Sequence, residues 1–275
     1  MPLFEALIFG IVQGITEFLP ISSTAHIVIT ELLLGYNFPG LAFEIFLHIA
    51  SVFAVILYFR RELWAVITGF FSYFSNKSNE NRVHFRFGLY IIVATIITGA
   101  AGLLLKNLVV DVMKTPPFIA GALVVTGTFL IIIERFKKYG DRCENKMRLL
   151  DAIIVGLAQT IAVLPGISRS GATLIAGLWV GLERETAVRY SFLLVIPVIL
   201  GSTVLAVGDI SGAIFITIGL APLVTAFITT FIFSLLGIIW LINFLKKGRL
   251  IYFALYCYLV AILVFIFVKE VPPTI

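Results

Sequence analysis

The chain has 275 residues, of which 60% are hydrophobic and 13% are charged, and its mean hydropathy is +1.10. Soluble domains do not have this composition, so the sequence predicts an all-α membrane protein that crosses the bilayer several times. The net charge of +5 comes mainly from basic residues in the linkers between apolar stretches, so it bears on topology and does not indicate a nucleic-acid partner.

The first two apolar stretches are each too short to cross a bilayer. Residues 5–18 are mainly apolar and stop at Leu19-Pro20, and residues 27–34 stop at Gly35. The polar residues between them are Ser22, Ser23, Thr24 and His26. Because a spanning helix needs about 20 residues, we interpret the two stretches as a broken pair of helices with a polar tip.

Three predicted spans follow the first broken pair, over residues 43–59, 87–105 and 117–133. The aromatic stretch 63–74 is too short to span the bilayer. It is predicted to be an interfacial helix that leads into a polar linker over residues 75–86.

A second broken pair comes next. Residues 152–163 and 174–180 are short and apolar, and between them lies Leu164-Pro-Gly-Ile-Ser-Arg-Ser-Gly-Ala-Thr173. The Pro-Gly dipeptide breaks a helix that arrives from the N-terminal side. The rest of the segment supplies hydroxyls and one guanidinium, which suit an anion. A Pro-kinked helix with a snorkelling arginine is the alternative, although charge inside a membrane generally indicates function.

Three more spans are predicted, over residues 191–207, within 215–245, and over 250–268. The two broken pairs match each other at an offset of 146 residues. Ten of the 31 aligned positions are identical, including Gln13/Gln159, Ser22/Ser168 and Gly35/Gly181. The sequence therefore predicts one membrane domain, 1–275, built from two repeats over about 1–140 and 147–275.

The basic residues predict the orientation. Sixteen of the 20 Lys and Arg residues lie in segments 60–86, 134–150, 182–190 and 244–249, which the predicted spans put on one side, the cytoplasmic side. Lys106, Lys114 and Lys269 lie on the other side. Three spans separate the broken pairs, so these enter from opposite faces as re-entrant hairpins of an inverted-topology repeat. Both termini are then outside the plasma membrane.

The polar residues of the two tips are predicted to meet near the bilayer midplane. They are Glu17, Ser22, Ser23 and His26 from one tip and Ser168, Arg169, Ser170 and Thr173 from the other. The arginine can bind two phosphate oxygens with its planar fork. Glu17 and His26 can move protons or hold a metal, and a Ser or His can attack phosphorus. Glu44 and His48, four residues apart on one helical face, either line the cavity or orient the site.

Both tips resemble the signature motifs of the undecaprenyl pyrophosphate phosphatase family, the bacitracin-resistance membrane phosphatases. The matching segments are Gln13-Gly-Ile-Thr-Glu-Phe-Leu-Pro-Ile-Ser-Ser-Thr-Ala-His26 and Pro165-Gly-Ile-Ser-Arg-Ser-Gly-Ala-Thr173. The resemblance covers nearly the whole chain. It implies hydrolysis of undecaprenyl diphosphate to the monophosphate and phosphate, with a divalent metal such as Mg²⁺ or Ca²⁺. It carries over the functional residues Glu17, Ser22, Ser23, His26, Ser168, Arg169, Ser170 and Thr173.

One position departs from the family pattern. The family's first motif commonly has two glutamates four residues apart, and here the first is Gln13. Either Gln13 supports the site by hydrogen bonds, or another group such as Glu44 supplies the charge. Glu17 is then the expected metal ligand. We expect Ser23 to be the nucleophile or a phosphate ligand, with His26 as its proton partner.

Two rival functions remain open at this stage. Inverted repeats with broken helices also occur in transporters, so the chain could move a phosphorylated lipid or an anion across the membrane. The substrate could also be another polyprenyl diphosphate, because isoprene chains present the same apolar surface. The expected partners are a polyprenyl lipid and the membrane, and the sequence leaves a homo-oligomer open.

Overall fold

The computed structural model describes residues 1–36, 38, 42–105, 115–136, 140–210, 218–246 and 250–268, with the side chains of residues 105, 136 and 206–210 excepted. The regular elements in this part of the chain are all helices, and an isolated β-bridge joins Arg142 and Leu182. The α-helices are α1 (Leu3–Phe18), α2 (Ser23–Leu34), α3 (Ala42–Tyr58), α4 (Arg60–Ser72), α5 (Asn79–Leu105), α6 (Pro116–Phe136), α7 (Leu149–Ile161), α8 (Arg169–Trp179), α9 (Arg184–Ile210), α10 (Leu220–Lys246) and α11 (Ile251–Phe267).

Within the described ranges, four helices, α5, α6, α9 and α10, are long and apolar enough to cross a membrane. A fifth candidate span is the pair α3 and α4, which bends by 80° where the two helices join. Helix α11 has 17 residues, at the lower end of the range for a spanning helix. The predicted multi-pass helical membrane protein is confirmed at this level.

The orientation remains a prediction. Several of the basic residues that it uses lie outside the described residues, namely Lys106, Lys114, Lys137, Lys138, Lys247, Arg249 and Lys269.

The two broken pairs have matching helix starts. Helices α1 and α7 begin at Leu3 and Leu149, and helices α2 and α8 begin at Ser23 and Arg169, so both starts differ by 146 residues. The chain preceding α8 turns at Gly166, whose φ is 92°. The short apolar stretches therefore form short helices as predicted, because Pro and Gly interrupt them at equivalent places.

One predicted linker is much shorter than expected. Helix α5 begins at Asn79, inside the polar segment 75–86, and not at the start of the apolar run. The Ser78 hydroxyl accepts a hydrogen bond from the backbone N–H of Asn81 at 3.1 Å, so it caps the helix. No Pro or Gly follows before Gly88. Hydropathy marks where the apolar face begins, whereas the cap and the absence of breakers decide where the helix begins.

The packing buries α1 against α10 and α7 against α5. Glycines allow the close approach in both places. A Cβ atom on Gly10 would lie 2.8 Å from the carbonyl oxygen of Ala226, and one on Gly156 would lie 3.0 Å from the Cα atom of Ala94. Small residues have this role between membrane helices generally. The tight packing holds α1 and α7 rigidly, and these helices lead directly into the two tips.

Candidate active site

A polar cavity of about 100 Å³ lies where the two broken pairs meet. Its walls come from the end of α1, the start of α2, the middle of α3 and the start of α8. The lining residues are Glu17, Ser22, Ser23, Thr24, His48, Ala162, Ile167, Ser168 and Arg169. The structure thus brings together five of the residues expected to face one another across the tips: Glu17, Ser22, Ser23, Ser168 and Arg169.

The Glu17 carboxylate is the centre of the hydrogen-bond network, and the residue is only 4% exposed. Its Oε2 atom accepts hydrogen bonds from Ser23 Oγ at 2.7 Å and from Gln13 Nε2 at 2.8 Å. Its Oε1 atom is paired with the Arg169 guanidinium. The Nε2 atom of His48 lies 3.2 Å from Oε2. A buried carboxylate needs such partners, because an unpaired buried charge is strongly unfavourable.

Arg169 is the first residue of α8, and its guanidinium reaches from the second broken pair to the first. The preceding residue, Ser168, caps the helix: its Oγ accepts a hydrogen bond from the N–H of Gly171 at 3.0 Å. The N–H of Ser168 donates to Thr126 Oγ1 at 3.3 Å, which fixes the tip to α6. The arginine is therefore held on a rigid helix start and not on a loose loop.

Two helix N-termini adjoin the cavity, those of α2 and α8. Ser22 caps α2 with its Oγ, which accepts from the N–H of Ala25 at 3.4 Å. Its backbone has a φ of 69°, a left-handed conformation that is uncommon for a residue with a side chain and is found at functional sites. Helix N-termini carry a partial positive charge and free N–H groups. Together with Arg169 they make the cavity suitable for an anion such as a phosphate.

Two expected phosphate ligands point elsewhere. Ser170 Oγ donates to the carbonyl oxygen of Leu19 at 3.2 Å, which fastens one tip to the other. Thr173 Oγ1 bonds to the carbonyl oxygen of Arg169 at 3.0 Å and to the Ser191 hydroxyl. Neither lines the cavity. Ser170 is rotated by about 100° from Arg169 around α8, and Thr173 lies one turn further along the helix, so these two hydroxyls serve packing.

The expected pairing of His26 with Ser23 is not formed. The ring of His26 stacks on Tyr256, with centroids 5.6 Å apart, and its Nε2 atom lies 2.9 Å from the Tyr256 hydroxyl. Its Nδ1 atom lies 2.7 Å from the carbonyl oxygen of Ser22. These contacts with Tyr256 of α11 and with Ser22 hold the His26 ring away from Ser23. The histidine that lines the cavity is His48 of α3.

Glu44 does not replace the carboxylate missing at position 13. It is buried in α3, and its side chain is not among those that line the cavity. Its backbone carbonyl oxygen lies 2.5 Å from Nδ1 of His48, so Glu44 contributes to the orientation of that ring. The four-residue spacing of the two residues signalled this contact, whereas the approach of His48 to Glu17 depends on how α3 packs against α1.

The donor set does not fit a metal held by the protein alone. Among the described residues there is no group of three or more His, Cys, Asp and Glu side chains placed to hold an ion. At the cavity, the available donors of this kind are Glu17 and His48, and they contact each other. Proteins usually hold Mg²⁺ and Ca²⁺ with carboxylates together with carbonyl oxygens and waters, and the carboxylate that lines this cavity, that of Glu17, is already paired with Arg169.

Comparison with known proteins agrees with the motifs. The family model described as bacitracin resistance protein BacA matches residues 6–263. Undecaprenyl-diphosphatase 2 of Halalkalibacterium halodurans is 67% identical over 268 residues, which cover 97% of this chain and 96% of that protein. Undecaprenyl-diphosphatase 1 of Shouchella clausii is 56% identical over 268 residues, 97% of each chain. Undecaprenyl-diphosphatase 3 of Bacillus anthracis is 39% identical over 265 residues, 96% of this chain and 97% of that one. The chain therefore belongs to the bacitracin resistance protein BacA family.

Proposed function

We propose that this chain is an integral membrane phosphatase that hydrolyses undecaprenyl diphosphate to undecaprenyl phosphate and phosphate. The observation that carries the proposal is the hydrogen bond of 2.7 Å from the Ser23 hydroxyl to Glu17, beside Arg169, in a cavity bordered by two helix N-termini. A hydroxyl with a carboxylate base and a cation next to it are the groups that phosphoryl transfer requires. The names of the similar proteins point to the same substrate.

The reaction follows from this geometry. Arg169 and the N–H groups at the starts of α2 and α8 hold the terminal phosphate. Ser23 Oγ attacks the terminal phosphorus, and its proton passes to Glu17 Oε2. The bond from that phosphorus to the bridging oxygen breaks, and the lipid phosphate leaves with this oxygen. Water then hydrolyses the phosphoserine and the hydroxyl of Ser23 is restored. Arg169 stabilises the charge of the transferring phosphoryl group.

A flippase that only binds the anion would need Arg169 but not a hydroxyl hydrogen-bonded to a buried carboxylate. The bond between Ser23 and Glu17 therefore favours hydrolysis over transport. The cavity explains how the diphosphate is recognised. It does not determine the length of the prenyl chain. We assign undecaprenyl from the names of the similar proteins, and with it a role in recycling the carrier of cell-wall polymers at the plasma membrane.

We infer that the two halves are an inverted-topology repeat with the tips as re-entrant hairpins. In support, helix partners exchange between halves: α1 packs on α10 and α3 on α10, whereas α7 packs on α5 and α9 on α5. At the offset of 146 residues, α1, α3 and α5 correspond to α7, α9 and α10. When each helix is replaced by its counterpart, the first two contacts therefore become the last two. Helices α3 and α9, which are counterparts, also pack on each other, as do α6 and α11. Such a pattern is expected of a pseudo-two-fold axis in the membrane plane.

The test is phosphate release by the purified protein in detergent from a series of C10 to C55 prenyl diphosphates. We expect hydrolysis by the wild-type protein, and loss of hydrolysis in Ser23→Ala with the protein still folded. A lipid monophosphate serves as the control substrate. Hydrolysis of none of the diphosphates, together with their transport into proteoliposomes, would favour the flippase.

A further inference from the structure

Tyr256 of α11 contacts the tip of the first broken pair through His26. The two rings are nearly parallel, with 8° between their planes, and the Tyr256 hydroxyl lies 2.9 Å from Nε2 of His26. Tyr256 comes 230 residues after His26 and belongs to neither of the two tip motifs. Its hydroxyl is therefore a polar group next to the tip that neither motif accounts for.

The hydrogen-bond partners of His26 define the tautomer of its ring. The Nδ1 atom lies 2.7 Å from the carbonyl oxygen of Ser22, which is an acceptor only, so Nδ1 carries a proton and donates this hydrogen bond. In the neutral ring Nε2 is then an acceptor, and the Tyr256 hydroxyl is the donor that faces it. Both ring nitrogens are thus occupied, and neither is directed at Ser23.

The carbonyl that accepts from His26 shares one planar peptide group with the N–H of Ser23. Ser22 has a φ of 69° and a ψ of 99°, outside the regions that a residue with a side chain usually adopts. Such a backbone persists only where its surroundings hold it. The Nδ1–H of His26 and its backbone N–H, at 3.3 Å, both donate to this carbonyl. His26 therefore fixes the peptide group that leads into Ser23.

Helix α11 is positioned by α6, on which it packs. A hydrogen bond of 2.8 Å between the hydroxyls of Tyr258 and Thr128 joins the two helices. Helix α6 also contacts the second tip, because Thr126 Oγ1 accepts a hydrogen bond from the N–H of Ser168. The pair of helices α6 and α11 thus contacts both tips, and Tyr256 is the contact with the first.

We propose that Tyr256 is a positioning residue for the reaction. Its hydroxyl holds His26 in the tautomer that donates to the Ser22 carbonyl. This bond in turn holds Ser23 beside Glu17, so neither Tyr256 nor His26 exchanges a proton with the substrate. The inference rests on the proposed function, in which Ser23 attacks phosphorus.

Two amide substitutions of His26 separate positioning from proton transfer. The amide nitrogen of asparagine is as many bonds from Cα as Nδ1, so His26→Asn retains a donor for the Ser22 carbonyl. The amide nitrogen of glutamine matches Nε2 instead, and neither amide titrates. We expect His26→Asn to keep kcat for phosphate release within about tenfold of the wild type. His26→Gln should lose about 100-fold, because the nucleophile is displaced.

A double-mutant cycle tests the contribution of Tyr256, whose side chain is partly exposed, so that its hydroxyl is removed without a buried cavity. Tyr256→Phe should lower kcat about fivefold, the effect of one hydrogen bond. In the His26→Asn background the effect should be below twofold, because the shorter amide does not reach the hydroxyl. The matched control is Tyr258→Phe, which removes a hydroxyl that contacts α6. It should leave kcat unchanged in both backgrounds.

Nitrogen-15 NMR of protein labelled in its histidine rings gives a reading that is independent of turnover. The signals absent from His26→Asn should belong to a neutral ring protonated at Nδ1, and thermal unfolding checks that each variant is folded. The inference is overturned if these signals report another protonation state, if His26→Asn and His26→Gln lose activity equally, or if Tyr256→Phe has the same effect in both backgrounds. Failure of the wild type to hydrolyse any prenyl diphosphate would instead overturn the proposed function.

Discussion

The two broken pairs have the same framework but carry different chemistry. Both use a serine cap before the second helix, Ser22 and Ser168, and in both a glycine with positive φ follows within two residues of the end of that helix, Gly35 and Gly181. At the position equivalent to Ser23 stands Arg169. The first pair therefore supplies a hydroxyl where the second supplies a cation, and a single cavity receives both.

The carboxylate is likewise confined to one pair. The position equivalent to Glu17 is Val163. The two equivalent glutamines follow this difference: Gln13 donates to Glu17 at 2.8 Å, whereas Gln159 donates to Thr98 of α5 at 2.9 Å. One glutamine belongs to the site and the other to helix packing. The two broken pairs therefore share one backbone arrangement, whereas the reactive side chains are divided between them.

The largest expected effect follows substitution of Arg169, the cation that the second pair supplies. Arg169→Lys keeps the charge but loses the two-pronged geometry. We expect it to lower kcat/KM at least about 100-fold, roughly 2.7 kcal/mol of transition-state stabilisation. Arg169→Ala should be lower still. Steady-state phosphate release measures both, with thermal unfolding as the control for folding, and wild-type rates in Arg169→Ala would move the reaction to another site.

Removal of the carboxylate of the first pair should be nearly as severe. Glu17→Gln retains the shape of the side chain and loses the base for Ser23 and the partner of Arg169. We expect at least a 100-fold loss in kcat, of the order seen when a general base is removed. Its matched variant is Val163→Glu at the equivalent position, which should not restore activity to Glu17→Gln. Rescue would show that the two tips are interchangeable.

Substitution of the two equivalent glutamines should have smaller effects, on activity at one position and on stability at the other. Gln13→Leu removes a hydrogen bond to a charged group, so kcat/KM should fall about 10-fold or more. Gln159→Leu should leave kcat/KM within about threefold and lower the stability by about 1 kcal/mol, because it loses only a neutral hydrogen bond. Kinetics and thermal unfolding of the two variants separate these effects. Equal kinetic losses in both would contradict the division of roles.

The polar linker before the second pair gives a stability effect. Arg142 forms two hydrogen bonds with Asp151, at 2.7 and 3.0 Å, and also donates to the carbonyl oxygen of Val180, so it ties both ends of that pair together. The hydrogen bond to Asp151 raises the pKa of Arg142, so the guanidinium stays charged at neutral and alkaline pH. We expect Arg142→Met to lower the free energy of unfolding by about 2 kcal/mol or more, since the buried Asp151 carboxylate loses its cation and keeps the backbone N–H of Arg148 as a donor, at 2.8 Å. An unchanged unfolding temperature would show that these contacts of Arg142 do not stabilise the fold.

A labelling experiment tests the inverted relation between the pairs. Cys143 lies partly buried in the linker that the topology puts in the cytoplasm. A membrane-impermeant thiol reagent should miss it in intact cells and modify it in inverted vesicles, and a Cys143→Ser variant is the control. Modification in intact cells would rule out the proposed orientation.

Much of the fold and part of the site could be predicted from the sequence. Short apolar runs, the breaks at Pro20 and Pro165 and the offset of 146 residues were enough to predict four short helices and a shared polar cavity. These are local signals, or they recur in both halves. The start of α5 was misplaced because hydropathy does not report the capping serine at position 78.

The contacts of individual side chains could not be predicted in the same way. His26 meets Tyr256, which is 230 residues away in sequence, and His48 meets Glu17 through the packing of α3 on α1. Ser170 and Thr173 belong to the motif, but their hydroxyls contact Leu19 and Ser191 and do not line the cavity. Motif residues predict which segments form a site, and the packing of the helices decides which of these residues face it.

The central claim is that Ser23 attacks phosphorus with Glu17 as its base, and a rapid-quench experiment tests it most directly. Prenyl diphosphate labelled in its terminal phosphate is mixed with the protein, and the reaction is stopped in acid within the first turnover. We predict label bound to the wild-type protein as phosphoserine at position 23, and none in Ser23→Ala. Wild-type turnover by Ser23→Ala would contradict the account.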